Sequence, residues 1–298
     1  MKHVIDSDFL SLLEARELRV GKAFQGFFGG NRKSRDNGSS PEFSDFREYA
    51  PGDDLRRIDW NLFGRFEKLY LKLFVDERQL HHRIYLDTSA SMDWGEEKKS
   101  HMAMKIAAAL GYLSVKALDR VSFYALKEDA IEPIGQTVVG KDAFYRTVEE
   151  LEEIPFDGEI SMSAAFGAAE NLGGRNGISI LLSDFFSEED WKGAVDRLVV
   201  EGRQVVLIQV LSREEIDPDY SGKVMLLDAE GQGEEDPRSF RMDISRSSLA
   251  AYKKALEYHQ GCIRDFCAAR GVDFITVCSD EKPEEILFQK AMEVGLIL

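Results

Sequence analysis

Two predicted β-strands of this chain end in a carboxylate, and hydroxyl side chains follow one of those strand ends. Asp87 closes an apolar run and is followed by Ser89 and Ser91 at alternate positions, while Asp184 closes a second apolar run. In open α/β sheets, ligands collect beyond the carboxyl ends of the strands, and hard divalent cations prefer oxygen ligands. We therefore predict a site for Mg²⁺, with Mn²⁺ or Ca²⁺ as alternatives, whose ligands are Asp87, Ser89, Ser91 and Asp184.

The loop that carries these hydroxyl groups leads toward the start of a predicted helix. Helix N-termini favour negative charge, so an anion is a suitable final ligand for the metal. We predict that a partner protein supplies this anion as an Asp or Glu side chain. The alternative is a purely structural one, in which Asp87 and Ser89 only cap the next helix.

An enzymatic role is a second alternative, because a strand-end aspartate can act as a nucleophile in a Mg²⁺-dependent phosphohydrolase. Haloacid-dehalogenase-like enzymes need a second aspartate two residues further on as the general acid, and Ser89 occupies that position. The sequence also lacks a Gly-x-Ser-x-Gly turn and a phosphate-binding Walker A loop. We therefore predict a protein that is not an enzyme.

The elements that must position these residues alternate between strand and helix. Apolar runs predict strands at 82–87, 121–126 (paired with 131–134), 178–184, 204–210 and 274–278. Helical periodicity predicts helices at about 98–118, 141–152, 162–172, 188–201, 246–270 and 282–294. Repeated βα units of this kind indicate an α/β fold, a doubly wound and mostly parallel sheet that is Rossmann-like.

Two stretches fall outside this alternation. Residues 213–245 contain two strand patterns around an acidic turn and are predicted to be a β-hairpin insertion. Residues 1–80 combine a leucine-rich helical pattern with a strand pattern, and we predict an N-terminal α+β extension packed on a main domain of residues 81–298.

Composition limits the partners and the compartment. The formal net charge is −16, which disfavours nucleic acid and anionic membranes. The N-terminus lacks a signal-peptide pattern, and no apolar run approaches the length of about 20 residues that spans a bilayer. We predict a cytoplasmic protein without membrane insertion, in which Cys262, Cys267 and Cys278 are buried free thiols.

The segment Asp87-Thr88-Ser89-Ala90-Ser91 resembles the metal-ion-dependent adhesion site (MIDAS) of von Willebrand factor A domains. The resemblance implies a von Willebrand factor A-like fold, and Asp87, Ser89, Ser91 and Asp184 as the metal ligands. That family takes a further threonine ligand from an intervening loop, where this chain has Ile160. Isoleucine cannot bind a metal, so a metal-free scaffold with a degenerate site is a further alternative. Oxygen donors nearby that could replace the threonine are Ser161, Ser163, Asp157 and Glu159.

A second resemblance covers most of the chain. Pro51-Gly52-Asp53-Asp54, Arg56-Arg57-Ile58-Asp59-Trp60 and Glu77 resemble the bacterial family called domain of unknown function 58. Members of that family resemble cytosolic proteins encoded beside MoxR-type AAA+ ATPases, which implies an adaptor that works with such an ATPase. The charged residues around Trp60 have two interpretations, an internal salt-bridge network or a recognition surface.

Overall fold

The computed structural model describes the chain apart from residues 1–3, 6, 19–41, 52, 54, 76–78, 171, 174–176, 188–189, 228–238 and 298. Its strands are β1 (Glu42–Glu48), β2 (Tyr70–Val75), β3 (His81–Asp87), β4 (Arg120–Lys127), β5 (Ala130–Val138), β6 (Ile178–Ser183), β7 (Gln204–Leu211), β8 (Gly222–Leu227), β9 (Ser239–Ile244) and β10 (Asp273–Cys278). Its α-helices are α1 (Ser7–Leu13), α2 (Trp60–Phe66), α3 (Lys99–Lys116), α4 (Lys141–Glu152), α5 (Met162–Ala168), α6 (Asp190–Val200), α7 (Arg213–Ile216) and α8 (Arg246–Ala268). The chain ends in the short helical segments Pro283–Glu285, Ile286–Lys290 and Ala291–Glu293, the middle one a π-helical turn.

Six strands form the central sheet in the order β10-β7-β6-β3-β4-β5. All neighbours pair in parallel except β4 and β5, which form an antiparallel hairpin. The predicted α/β fold with a mostly parallel sheet is therefore confirmed, and so is the pairing of the strand at 131–134 with its predecessor. Because β3 and β6 are neighbours in the middle of the sheet, their carboxyl ends lie side by side.

Two apolar cores cover the two faces of this sheet. Ile84 and Leu86 face one core together with the buried side of α3, whereas Tyr85 between them faces the other core together with Trp191 of α6. Burial on both faces explains the near-continuous apolar runs of β6 and β7. The sheet is thus doubly wound, and its central strands are fixed from both sides.

Most predicted helices begin and end within a few residues of the observed ones. The largest difference is at α5, which ends at Ala168 rather than near residue 172. The backbone leaves the helix at Ala169, where it becomes extended. The prediction of buried thiols is wrong for Cys262, which is exposed, while Cys267 and Cys278 are buried.

Contacts divide the chain into one unit of Met1–Phe27 with Leu80–Leu298 and another of Phe28–Gln79. The sequence prediction instead placed all of residues 1–80 in one extension. Helix α1 belongs to the main unit because Phe9 and Leu13 are buried in the core that also contains α3. In the smaller unit, β1 and β2 pair antiparallel, and β8 and β9 form the predicted hairpin in the main unit.

Arg203 closes the end of the sheet opposite to the predicted metal site. Its side chain is buried and donates hydrogen bonds to Ser179 Oγ at 2.9 Å and to the carbonyl oxygens of His81 and Ile178 at 2.8 Å. Burial lowers the pKa of this guanidinium to about 10. The residue therefore joins the first residues of β3 and β6 through neutral partners.

We expect Arg203→Met to lower the free energy of unfolding by about 2–4 kcal/mol, because buried acceptors lose their donors. Urea denaturation followed by circular dichroism measures this loss. Arg213→Met is the control, since Arg213 pairs with Asp280 at the surface and such exposed pairs contribute about 0–1 kcal/mol. Equal losses in the two variants would contradict this assignment.

Candidate functional site

The two neighbouring strands β3 and β6 bring the four predicted ligands to one edge of the sheet. Ser89 Oγ lies 3.0 Å from Ser91 Oγ, and Ser91 Oγ donates to Asp184 Oδ2 at 3.0 Å. The backbone nitrogen of Ser89 donates to Asp87 Oδ1 at 2.9 Å. The four side chains therefore form one continuous group of oxygen atoms, although they come from opposite halves of the chain.

Capping alone does not account for Ser89. It precedes a short 3₁₀ turn, Ala90–Asp93, but its side chain makes no capping hydrogen bond to that turn. Its hydroxyl group is directed instead to Ser91. The structural alternative therefore explains the backbone turn after Asp87 but leaves the position of the Ser89 hydroxyl group unexplained.

Asp87 is a buried carboxylate next to a second one. Ser183 Oγ donates to its Oδ2 atom at 2.5 Å. Burial, and after it the negative charge of Asp184, raises the pKa of Asp87 above its ordinary value, although hydrogen bonds from Ser183 and Ser89 act in the opposite direction. A cation at this place would relieve both the burial cost and the repulsion.

A cation that was not predicted from the sequence lies against Asp184. Lys99, in the first turn of α3, is fully buried, and its Nζ atom donates to Asp184 Oδ2 at 2.8 Å and to Glu215 Oε1 at 2.7 Å. Burial lowers the pKa of Lys99, but the charges of Asp184 and Glu215 outweigh burial, so the pKa is raised overall. The ammonium group is therefore charged at neutral pH.

One sequence signal could have identified Lys99. It stands three residues before Met102 and seven before Ile106, so it lies on the apolar stripe of α3. A lysine is also unfavourable in the first turn of a helix. A basic residue on the buried face of a helix start needs a carboxylate partner, and the strand-end Asp184 was available. Glu215 gave no comparable signal.

The loop that lacks the expected threonine still packs against the serine-containing loop. The backbone nitrogen of Ala90 donates to the Gly158 carbonyl at 3.0 Å, and that of Asp157 donates to the Thr88 carbonyl at 2.9 Å. Ile160 itself packs against the apolar core that contains Tyr85. The loop therefore supports the site through its backbone.

Two of the suggested replacements for that threonine have other partners. Ser161 caps α5 and donates to Asp190 Oδ1 at 2.9 Å, and Ser163 donates to the Asp190 carbonyl oxygen. Both hydroxyl groups thus fasten α5 to α6, and neither is directed to the predicted ligands.

Aromatic side chains border the candidate site. Trp94, which follows the 3₁₀ turn, is 52% exposed, and Phe186, two residues after Asp184, is 39% exposed. The Phe186 ring stacks on His259, whose Nε2 atom bonds to the Phe185 carbonyl at 2.8 Å. His259 therefore packs at the rim of the site.

The charged segment near Trp60 makes local bonds within the smaller unit. Asp53 accepts hydrogen bonds from Arg47 at 2.8 Å and from the Ala50 backbone at 2.9 Å, and Asp59 caps α2. These bonds are internal to the smaller unit, and the interpretation that the network fastens the N-terminal segment to the sheet stays a prediction. Gly52, Asp54 and Glu77 lie outside the described residues.

The donor set fits a hard cation but differs from clusters rich in carboxylates or histidines. Among the described residues, no group of three or more His, Cys, Asp or Glu side chains is arranged to hold a metal. The candidate site offers instead two carboxylates and two hydroxyl groups: the hydroxyl groups bond each other and Asp184, and Asp87 accepts from the Ser89 backbone. Oxygen donors of this kind suit Mg²⁺, which keeps several waters.

The model of the family described as "Protein of unknown function DUF58" matches residues 45–260. The chain belongs to this family. The resemblance found in the residues from Pro51 to Trp60 is thereby confirmed. An uncharacterized protein of Mycobacterium bovis is 25% identical over 265 residues, which is 86% of this chain and 83% of the relative. Uncharacterized proteins of two Mycobacterium tuberculosis strains match to the same extent.

Solved structures similar to this DUF58 chain include von Willebrand factor A domains. The conserved hypothetical protein BatB from Bacteroides thetaiotaomicron has a TM-score of 0.43 at 13% identity, covering 72% of this chain and 98% of its own. The SpRpn10 VWA domain has a TM-score of 0.42 at 8% identity, covering 74% and 98%. Within the described residues, no helix is long and apolar enough to span a membrane.

Proposed function

We propose that this DUF58 protein is a non-enzymatic interaction module that binds a partner protein through a divalent cation at the carboxyl edge of its sheet. The observation that carries the proposal is the buried Asp87 carboxylate beside Asp184, with the Ser89 and Ser91 hydroxyl groups completing a row of oxygens. Asp87, Ser89, Ser91 and Asp184 would hold Mg²⁺, with Mn²⁺ or Ca²⁺ as alternatives. The bound metal would supply a coordination position for a carboxylate of the partner.

The rim of the site supports contact with a protein. Trp94 and Phe186 present exposed aromatic surface on the loops that follow β3 and β6. Aromatic residues are enriched at protein interfaces and at the residues that contribute most to affinity. A partner carboxylate that reaches the metal would therefore lie between apolar contacts.

The identity of the partner rests on the family resemblance alone. Members of this family resemble proteins encoded beside MoxR-type AAA+ ATPases, so we propose such an ATPase or its client as the partner, in the cytoplasm. The test is capture of the purified ATPase by the immobilised chain in Mg²⁺ and in EDTA. Capture that is equal in both conditions would contradict the metal mechanism.

A metal-free scaffold is the second candidate, and Lys99 is the observation that favours it. The buried ammonium group already supplies a positive charge to Asp184. Under this alternative, millimolar Mg²⁺ or Mn²⁺ leaves the midpoint of thermal unfolding unchanged, whereas a metal that binds only the folded chain raises it.

Ser91→Ala tests the proposed ligand set with little risk to the fold, because Ser91 is only half-buried. We expect Mn²⁺ affinity to fall about tenfold or more, since removal of supporting or ligand groups typically costs about 10–100-fold. Isothermal titration calorimetry measures this change. Ser100→Ala is the matched control, because the Ser100 hydroxyl donates to Asp93, which is not one of the proposed ligands. Unchanged Mn²⁺ affinity in Ser91→Ala would remove Ser91 from the ligand set.

A further inference from the structure

Lys99 occupies an unusual place for a lysine. It is fully buried and lies in the first turn of α3, where the helix dipole opposes a positive charge. Burial of an ammonium group is costly unless it is paired and hydrogen-bonded. The two carboxylates of Asp184 and Glu215 provide that compensation.

Asp184 has one oxygen that serves two partners. Its Oδ2 atom accepts from Ser91 Oγ at 3.0 Å and from Lys99 Nζ at 2.8 Å. Its Oδ1 atom accepts from the Phe186 backbone at 3.2 Å. The oxygen that faces the proposed serine ligand is therefore the same oxygen that holds the ammonium group.

We propose that Lys99 is a tethered cation that competes with the divalent metal for Asp184. This inference rests on the proposed function, because it concerns the same site. A metal bound to Ser91 and Asp184 would share the Asp184 carboxylate with the Lys99 ammonium group. Two cations on one carboxylate repel each other strongly where burial weakens the screening by water. Metal binding thus requires Lys99 to withdraw from Asp184.

Glu215 gives the withdrawn ammonium group a second position. Its Oε1 atom already accepts from Lys99 Nζ at 2.7 Å, so the lysine can leave Asp184 without losing every charged partner. With all carboxyls ionised, Asp184 and Glu215, which bond Lys99, and Asp87 beside Asp184 carry three negative charges against one ammonium group, which leaves two formal negative charges. A divalent cation neutralises this remainder. The competition makes metal binding weak in the free chain and stronger once a partner carboxylate is added.

Lys99→Met tests the inference because methionine keeps much of the volume of lysine without its charge. We expect Lys99→Met to bind Mn²⁺ alone about tenfold or more tightly than the unaltered chain, since the competing charge is gone. Calorimetry and the electron paramagnetic resonance signal of free Mn²⁺ both measure this affinity. Lys98→Met is the matched control: it removes the neighbouring charge, whose ammonium group pairs with Asp93 at the surface, and its affinity should stay within about twofold.

A second substitution should change the Mn²⁺ affinity in the opposite direction, and it keeps the inference testable where Lys99→Met does not fold. Glu215→Gln removes the alternative partner of Lys99, so the ammonium group is held at Asp184 and Mn²⁺ affinity should fall several-fold. Glu214→Gln is its control, because Glu214 bonds the Glu96 backbone instead. Circular dichroism and thermal unfolding in EDTA establish that each variant is folded.

The outcomes separate the two proposals. Where Lys99→Met folds, tighter Mn²⁺ binding by this variant supports the competition. Where it does not fold, weaker binding by Glu215→Gln with unchanged Glu214→Gln supports the competition, and unchanged binding by Glu215→Gln overturns it. Mn²⁺ binding by the unaltered chain together with equal or weaker binding by Lys99→Met overturns the competition and leaves the metal-dependent function standing. Absence of Mn²⁺ binding by both the unaltered chain and Lys99→Met overturns both.

Discussion

Asp87→Asn is expected to abolish metal-dependent partner capture while making the metal-free chain more stable at neutral pH. Capture is lost because the variant removes the buried carboxylate of the proposed ligand set. Stability rises because folding raises the pKa of Asp87 above its ordinary value of 3.8. Between the ordinary pKa and the raised pKa, the unfolded chain loses the Asp87 proton while the folded chain keeps it. The free energy of unfolding therefore falls as pH rises through this range. An amide carries no such cost.

Thermal unfolding in EDTA at pH 4 and at pH 7, and again in Mg²⁺ at pH 7, measures the stability and the metal binding, and capture of the purified ATPase in Mg²⁺ and in EDTA measures the partner binding. The variant should unfold at a higher temperature than the unaltered chain in EDTA at pH 7, and Mg²⁺ should leave its midpoint unchanged. Asp93→Asn is the matched control on the same loop, because Asp93 is 41% exposed at its side chain and pairs with Lys98. Retention of Mg²⁺-dependent capture by Asp87→Asn would refute the site.

Gly177→Ala is expected to cost about 4 kcal/mol or more of the free energy of unfolding, because it combines backbone strain with a clash. Gly177 precedes β6 and has a φ of +111°, a value that residues with a Cβ atom rarely adopt. A Cβ there would lie 2.3 Å from the carbonyl oxygen of His81, the first residue of β3. Backbone cannot move aside as a flexible side chain can.

Gly222→Ala separates the two contributions to that loss. Gly222 has a φ of +81°, but an added Cβ would meet no atom within 4 Å, so only the backbone strain of about 1–2 kcal/mol remains. Urea denaturation in EDTA compares the two variants. A loss in Gly177→Ala no larger than in Gly222→Ala would show that β3 and β6 separate easily at this end.

The fold could be predicted from the sequence because its strands are buried on both faces. Runs such as Val205 to Ile208 are apolar throughout and are bounded by polar residues, here Gln204 and Gln209, which indicates both their type and their place in a parallel sheet. The membership of α1 could not be predicted, since a short helix with Leu10, Leu12 and Leu13 carries no information about which core buries it.

The site was predictable to the extent that it depends on strand ends. Asp87 and Asp184 end adjacent parallel strands, so a rule about sheet edges was enough to pair them. Lys99 and Glu215 required knowledge of how α3 and α7 approach that edge in space. Ile160 in the place of the threonine expected from the resemblance was visible in the sequence, but the core contact that it makes was visible only in three dimensions.

The two carboxylate oxygens of Glu215 have different hydrogen-bond partners. Oε1 holds Lys99, whereas Oε2 accepts from the Ser212 backbone at 2.7 Å and closes the capping box that starts α7. The capping box therefore fixes the turn that precedes the β8–β9 hairpin, and Lys99 takes no part in it. As a consequence, we expect that the hairpin can be lengthened or exchanged without disturbing the ion pair between Glu215 and Lys99.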